Sequence, residues 1–129
     1  MGRGAWKEMI ISPETMNSNS TWRNHVILHE LGHVLGMHHE HQRSDRDNFV
    51  TLRPENDIMR ELGFSKGQYR TNFGILDRSK NYGPYDYDSV MHYSSYWFES
   101  DNSSLIHAGN RGAATLSAGD VATVRALYP

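Results

Sequence analysis

The chain of 129 residues has no cysteine, only four prolines and a formal net charge of −2. The absence of cysteine excludes a disulfide framework, a thiolate zinc site and a cysteine nucleophile. The small net charge gives no general reason to bind nucleic acid or an anionic membrane surface. No apolar run approaches the length of a membrane span, and Met1–Trp6 lacks the apolar segment of a signal peptide. Aromatic residues make up 11%, so we expect one globular domain over residues 1–129.

The apolar pattern predicts a helix over about residues 21–36. At 100° per residue, one face of this helix is apolar. This face consists of Ile27, Leu28, Leu31, Val34 and Leu35. Asn19 or Ser20 is suited to cap the start of the helix, because a short polar side chain can accept from a free backbone N–H. Gly36 is suited to end it, since glycine tolerates the left-handed conformation that follows many helices.

Histidine is abundant, and five of the eight histidines lie between His29 and His41. His29 and His33 are four residues apart, so both imidazoles project from the same side of the predicted helix. This spacing lets two ring nitrogens reach one metal ion at about 2.0–2.1 Å. Glu30 is rotated to the side, where its carboxylate is badly placed to bind the metal but can reach a metal-bound water.

A third ligand is expected from the chain that follows Gly36. The spacing favours His39, while His38 and His41 are the competing candidates. Three neutral imidazoles leave an open position on the metal, which is typical of a catalytic rather than a structural zinc site. The predicted cofactor is therefore one Zn²⁺ ion.

This site predicts hydrolysis of peptide bonds. Zinc lowers the pKa of its bound water to about 7 and polarises a substrate carbonyl. Glu30 is expected to take a proton from the zinc-bound water and to pass it to the leaving amine. No covalent intermediate is needed.

The segment from His29 to Asn48 resembles the extended zinc motif of the astacin family of metzincins. That motif reads H-E-x-x-H-x-x-G-F-x-H-E, followed by R-x-D-R-D. Met37 replaces the usual phenylalanine, which is a mild departure. Glu40 matches the family glutamate that pairs with the freed N-terminus in mature astacins.

A second segment, Pro84–Tyr93, resembles the S-x-M-H-Y Met-turn of the same family. The resemblance implies a Met-turn over residues 89–93, with Met91 as an apolar floor beneath the zinc. It also implies that Tyr93 is a catalytic residue and a switchable fifth zinc ligand. His92 is expected to be a hydrogen-bonded core residue. No ligand role is predicted for the two remaining histidines, His25 and His107.

The resemblance implies an α+β fold, a metzincin catalytic domain with most of its N-terminal sheet missing. Only one strand is predicted, over Lys7–Ser12. A C-terminal helix is predicted over about residues 118–128. Ser117 and Asp120 form its expected capping box, and apolar residues recur along it at helical spacing. Two explanations fit the short segment before His29. The chain is either a fragment of a longer astacin or a short variant that closes its core differently, for example by oligomerising.

The implied function is that of a zinc metalloendopeptidase that acts on protein or peptide substrates outside the cell. The alternative is a zinc-binding remnant or interaction module without catalytic activity. The scarcity of predicted strands motivates this alternative, because an edge strand aligns the substrate backbone in the family.

Overall fold

The computed structural model describes residues 9–99, 105–106 and 115–129. Five α-helices are formed in these ranges. They are α1 (Pro13–Met16), α2 (Ser20–Val34), α3 (Glu55–Leu62), α4 (Lys66–Phe73) and α5 (Ala118–Leu127). Short 3-10 turns lie at Glu40–Gln42, Arg46–Asn48 and Ser95–Trp97. None of the described helices is long and apolar enough to span a membrane.

The part of the chain that the structure describes contains no β strand, so the β part of the predicted α+β fold is not seen there. The only β-bridge in this part is an isolated antiparallel one between Leu52 and Phe98. The predicted strand is wrong for residues 9–12, which have no regular structure; Lys7 and Glu8 lie outside the described residues. A strand needs a neighbour for its N–H and C=O groups, and no described residue pairs with Ile10, whose surface is 86% exposed.

The helix that carries the HExxH motif begins and ends close to the predicted positions. Asn19 is its N-cap, and its side chain accepts from the backbone N–H of Trp22 at 2.9 Å. The last helical residue is Val34, followed by the cap residue Leu35. Gly36 then adopts a φ of 95°, a left-handed conformation that side-chain-bearing residues avoid.

Three further helices begin with recognisable caps. Ser12 caps α1 and is followed by a proline at the first helical position. Ser65 and Gln68 form a reciprocal capping box at the start of α4, which the pattern left unassigned. The predicted box of Ser117 and Asp120 opens α5, which confirms the C-terminal helix.

The apolar core lies beside α2 rather than on its predicted apolar face. A buried cluster combines residues that are distant in sequence: Val50, Tyr85, Phe98 and Ile106. By contrast, Leu31, Val34 and Leu35 keep 37–40% of their surface exposed. The buried residues of α2 are His25 and Gly32, on the side that faces the core. The described chain therefore packs the histidine-bearing side of α2 more closely than its apolar side.

Candidate metal centre

Three predicted ligands converge on one point. His29 and His33 come from α2, and His39 comes from the segment after the helix has ended at Gly36. Their ligand atoms all lie within 4.8 Å of one another. The Nε2 atom of His39 lies 3.2 Å from Nε2 of His29 and 3.1 Å from Nε2 of His33. These three histidines are therefore positioned to bind a metal ion.

Backbone carbonyls define the tautomers of the two helical histidines. Nδ1 of His29 lies 2.8 Å from the carbonyl oxygen of Val90, and Nδ1 of His33 lies 3.0 Å from that of Met37. A carbonyl oxygen only accepts, so each Nδ1 must carry the proton that it donates. Each Nε2 then holds a lone pair, which is the form that binds a metal.

A side-chain amide orients the third histidine in the same way. Nδ1 of His39 lies 3.0 Å from Oε1 of Gln42. The amide nitrogen of Gln42 donates to the carbonyls of Thr71 and Gly74, which leaves its oxygen as the acceptor for His39. The sequence pattern did not single out Gln42; its position three residues after His39 is the signal that could have found it.

These contacts fit a tetrahedral zinc ion. Because none of the three Nε2 atoms carries a proton, they cannot donate hydrogen bonds to one another. A bound cation therefore explains their close approach better than hydrogen bonds do. Zinc–nitrogen bonds of about 2.0–2.1 Å in tetrahedral geometry separate the nitrogens by about 3.3 Å, close to the separations of His39 from its two neighbours. Burial lowers the pKa of His39 to about 3 and also lowers that of His29, so both are neutral at physiological pH.

The competing ligand candidates lie elsewhere. His38 is exposed. His41 is fully buried and donates from Nε2 to the carbonyl of Asn72 at 2.8 Å. Its ring stacks against Tyr93, with ring centroids 4.0 Å apart. His25 is buried beside Trp22 and outside the convergent group, while His107 lies outside the described residues.

Glu30 and Tyr93 line one cavity together with His29, one of the three candidate ligands. The cavity measures about 260 Å³ and also exposes His29 and the aromatic rings of Trp22 and Trp97. Burial and the negative charge of Glu30 raise the pKa of Tyr93, so its hydroxyl keeps its proton at neutral pH. That hydroxyl makes a long contact of 3.5 Å with Oδ1 of Asn72. A carboxylate and a phenol thus line the same cavity as His29.

The segment that resembles the Met-turn forms a buried turn against α2. Met91 is fully buried, and its sulfur lies where a side chain on Gly32 would have to be. His92 is also buried, which confirms the expected core histidine: its Nδ1 donates to the carbonyl of Tyr93, and its Nε2 accepts from the hydroxyl of Tyr85 at 2.7 Å. Glycine at position 32 therefore lets the turn approach the helix between the two helical histidines.

Glu40 holds the segment after His39 in a polar pocket. Its carboxylate accepts from the backbone N–H of Asp86 at 2.8 Å and pairs with Arg43 at 3.4 Å. Burial raises the pKa of Glu40 to about 7, although the N–H of Asp86 and the charge of Arg43 oppose that rise. The partner that the family resemblance implies for this glutamate, a freed N-terminus, is not among the described residues.

The arginines of the R-x-D-R-D motif stabilise the loop that carries His39. Arg43 forms two parallel hydrogen bonds with Asp45 and donates to backbone carbonyls of the segment 82–84. Buried Arg46 donates to the carbonyls of His41 and Phe73. Both cations thus connect the loop that carries His39 to backbone that is distant in sequence.

A helix that carries HExxH, with a third histidine from the following loop, defines a three-histidine metalloprotease centre. The peptidase family described as Astacin matches residues 14–129. The chain therefore belongs to the astacin family, a family of zinc metalloproteases with the metzincin fold. No solved structure matches the chain significantly.

Several curated proteins are similar to most of this chain. Astacin-like metalloprotease toxin 5 of Loxosceles gaucho is 41% identical over 91 residues, which cover 70% of this chain and 45% of the toxin. Astacin-like metalloendopeptidase of Gallus gallus is 36% identical over 124 residues, or 88% of this chain and 27% of the relative. Tolloid-like protein 1 of Homo sapiens is 37% identical over 116 residues, which cover 80% of this chain and 11% of the relative. The chain thus spans less than half the length of these relatives.

Proposed function

We propose that this chain is a zinc endopeptidase that hydrolyses peptide bonds in proteins or peptides. His29, His33 and His39 would hold the zinc ion through Nε2, with Tyr93 as an additional, exchangeable ligand. The observation that carries the proposal is the convergence of three lone-pair nitrogens, with Nε2 of His39 only 3.1–3.2 Å from the other two, beside a cavity lined by Glu30 and His29. When bound, zinc supplies Lewis acidity that activates water and polarises the substrate carbonyl.

The chain's own groups would then move protons and stabilise charge. Glu30 is a half-buried carboxylate at the cavity wall and is suited to take a proton from the attacking water and to return it to the leaving amine. Tyr93 keeps its phenolic proton and is suited to donate a hydrogen bond to the oxyanion that forms on the carbonyl oxygen. Trp22 and Trp97 would supply apolar walls that limit access of water to the cavity.

The second candidate function is zinc binding without cleavage. It is favoured by the lack of any strand within the described ranges, since an extended substrate is commonly held by adding it to a sheet edge. Family membership also supports a single domain over residues 1–129 and a location outside the cell, and we include both in the proposal.

The decisive experiment is cleavage of an unfolded protein by the purified chain, with zinc content measured in parallel. We expect the wild-type chain to bind one zinc ion and to cleave, and Glu30→Gln to bind zinc equally well with activity reduced by at least about 10²-fold. Glu55→Gln, an exposed glutamate in the first turn of α3, is the matched control and should keep full activity. Zinc binding by an inactive wild-type chain would support the second candidate instead.

A further inference from the structure

A buried carboxylate lies behind the turn that carries Met91. Asp120 is 2% exposed and is the third residue of α5. Its Oδ1 accepts from the hydroxyl of Ser89 at 2.6 Å, and its Oδ2 accepts from the backbone N–H of Val90 at 2.9 Å. Oδ2 also accepts from the N–H of Ser117 at 3.0 Å, which belongs to the capping box of α5. Two of its three donors therefore come from the turn rather than from its own helix.

The contact of Asp120 with Ser89 extends to a proposed metal ligand. Having donated its proton to Asp120, the hydroxyl of Ser89 accepts from the N–H of Met91 at 3.0 Å. That N–H and the carbonyl of Val90 belong to the same rigid peptide unit. The Val90 carbonyl accepts from Nδ1 of His29 at 2.8 Å. The orientation of one peptide plane thus links the buried carboxylate to the ring of His29.

The same turn also contacts residues next in sequence to the other two proposed ligands, through its backbone and its sulfur. The carbonyl of Met91 accepts from the N–H of Glu40 at 3.1 Å, directly after His39. The sulfur of Met91 packs on Gly32, directly before His33. A shift of the turn would therefore disturb all three histidines.

We propose that Asp120 is a positioning residue for the metal centre, acting through Ser89 and the Val90–Met91 peptide on the ring of His29. The inference rests on the proposed zinc site and goes beyond it, because Asp120 belongs to a helix that supplies no ligand. Both carboxylate oxygens of Asp120 can only accept hydrogen bonds, and all three of their partners are donors. An amide at this position keeps one acceptor oxygen but turns the other into a donor that faces the Ser89 hydroxyl.

The test measures zinc affinity of the full chain by competition with a chelator. We expect Asp120→Asn and Ser89→Ala each to weaken zinc binding by about 10- to 100-fold, the usual effect of removing an outer-shell partner of a ligand. Because both changes break one chain of hydrogen bonds, the double variant should lose less than the product of the two single effects. If Asp120→Asn fails to fold, Ser89→Ala alone decides, since it removes only a hydroxyl.

The matched control separates positioning from helix capping. Ser117→Ala removes the side-chain cap of α5, a hydrogen bond of 2.9 Å from the N–H of Asp120, and also the hydrogen bond from the Ser117 hydroxyl to Asp86. It leaves the contacts of Asp120 with Ser89 and Val90 in place. It should therefore bind zinc within about threefold of wild type. Zinc binding weakened by Ser117→Ala as much as by Asp120→Asn would overturn the proposal, and so would unchanged binding by Ser89→Ala.

A spectroscopic measurement gives a readout that a loss of stability alone would not move. In the metal-free chain, the ¹⁵N chemical shifts of the His29 ring should indicate a proton on Nδ1 in wild type and a mixed tautomer in Ser89→Ala. A wild-type chain that binds no zinc would overturn the proposed site itself. A wild-type chain that binds zinc, with the His29 tautomer unchanged in Ser89→Ala, would overturn only the role of Asp120.

Discussion

Each of the three histidines proposed as metal ligands has a hydrogen-bond acceptor for its Nδ1. Nδ1 donates to Val90 in His29, to Met37 in His33 and to Gln42 in His39. In contrast, His41 uses Nε2 for a backbone carbonyl and therefore cannot offer that atom to a metal. At the scale of single residues, the hydrogen-bond partner of each ring thus decides its role, which explains why neighbouring histidines differ.

The acid sensitivity of the fold is predicted to include a contribution from His92. Burial lowers its pKa to about 4, below the ordinary value of 6.5. Between these values the unfolded chain binds more protons, so stability is fully present above pH 6.5 and is lost as the pH falls towards 4. The loss should reach about 3 kcal/mol.

The measurement is urea unfolding of the metal-free chain at several pH values. His92→Gln can still donate to Tyr93 and accept from Tyr85 but does not titrate. The free energy of unfolding should therefore fall less for His92→Gln than for wild type between pH 6.5 and 4. Parallel curves for the two chains would contradict the assignment.

The hydroxyl of Tyr93 is predicted to act in catalysis rather than in folding. Tyr93→Phe keeps the ring that stacks on His41 but removes the donor. We expect kcat to fall by about 10²- to 10³-fold, as for the loss of one oxyanion donor, with zinc affinity changed only slightly. Steady-state kinetics together with zinc titration checks this, and Tyr96→Phe, an exposed tyrosine, is the control. A fall in zinc affinity equal to the fall in kcat would assign Tyr93 to metal binding instead.

At the scale of elements, the centre depends on the contact between α2 and the turn around Met91. Gly32 allows that contact because it has no Cβ. The loop after Gly36 then returns to the same side of α2, where Glu40 bonds to the turn through its backbone N–H. A helix, a loop and a turn thus meet at one point, and each supplies or orients a ligand.

Gly32→Ala is predicted to destabilise the chain even though alanine favours helices. The new Cβ would collide with the sulfur of Met91, and overpacking of this kind costs about 1–3 kcal/mol. Gly67→Ala in α4 is the matched control, since its nearest neighbour would be the hydroxyl of Ser65 at 3.9 Å. The control should be neutral or stabilise the chain by up to about 1 kcal/mol. Urea midpoints measure both, and equal midpoints would contradict the contact.

At the scale of the whole molecule, a bound metal would connect parts of the chain that share few other contacts. The three histidines belong to α2 and to the following loop, and their supports come from Gln42, Val90 and Asp120. Meanwhile the apolar face of α2 stays partly exposed in the described residues. We therefore expect metal binding to contribute much of the stability of this chain.

Zinc is predicted to raise the Tm of the chain in a concentration-dependent way. Free zinc at 100 times its Kd adds about 2.7 kcal/mol, which corresponds to a rise in Tm of about 10 °C. Thermal unfolding with zinc and with excess chelator measures the difference. His33→Ala removes one ligand and should show a much smaller rise. An equal Tm with zinc and with excess chelator would show that the metal does not bind the folded chain.

The positions of the main site residues could be predicted from local pattern alone. The spacing of His29 and His33 on a helix, the stop at Gly36 and the capping box at Ser117 depend on contacts within a few residues. The prediction of a strand was wrong over residues 9–12, because a strand depends on a partner strand that the local pattern does not reveal. Helix α4 was not predicted, although Ser65 and Gln68 form a capping box at its start.

The sequence by itself determined the HExxH helix, the candidate ligands and the resemblance to astacins, because helical periodicity and motif spacing are written in neighbouring residues. Only the tertiary structure decided among His38, His39 and His41, since that choice depends on where the chain turns after Gly36. It alone showed that Gln42 and the Val90 carbonyl accept from ring nitrogens of the candidate ligands and that Asp120 bonds to the turn behind them. These supports lie in loops and in a distant helix, and hydrogen bonds between distant segments follow from how the chain packs.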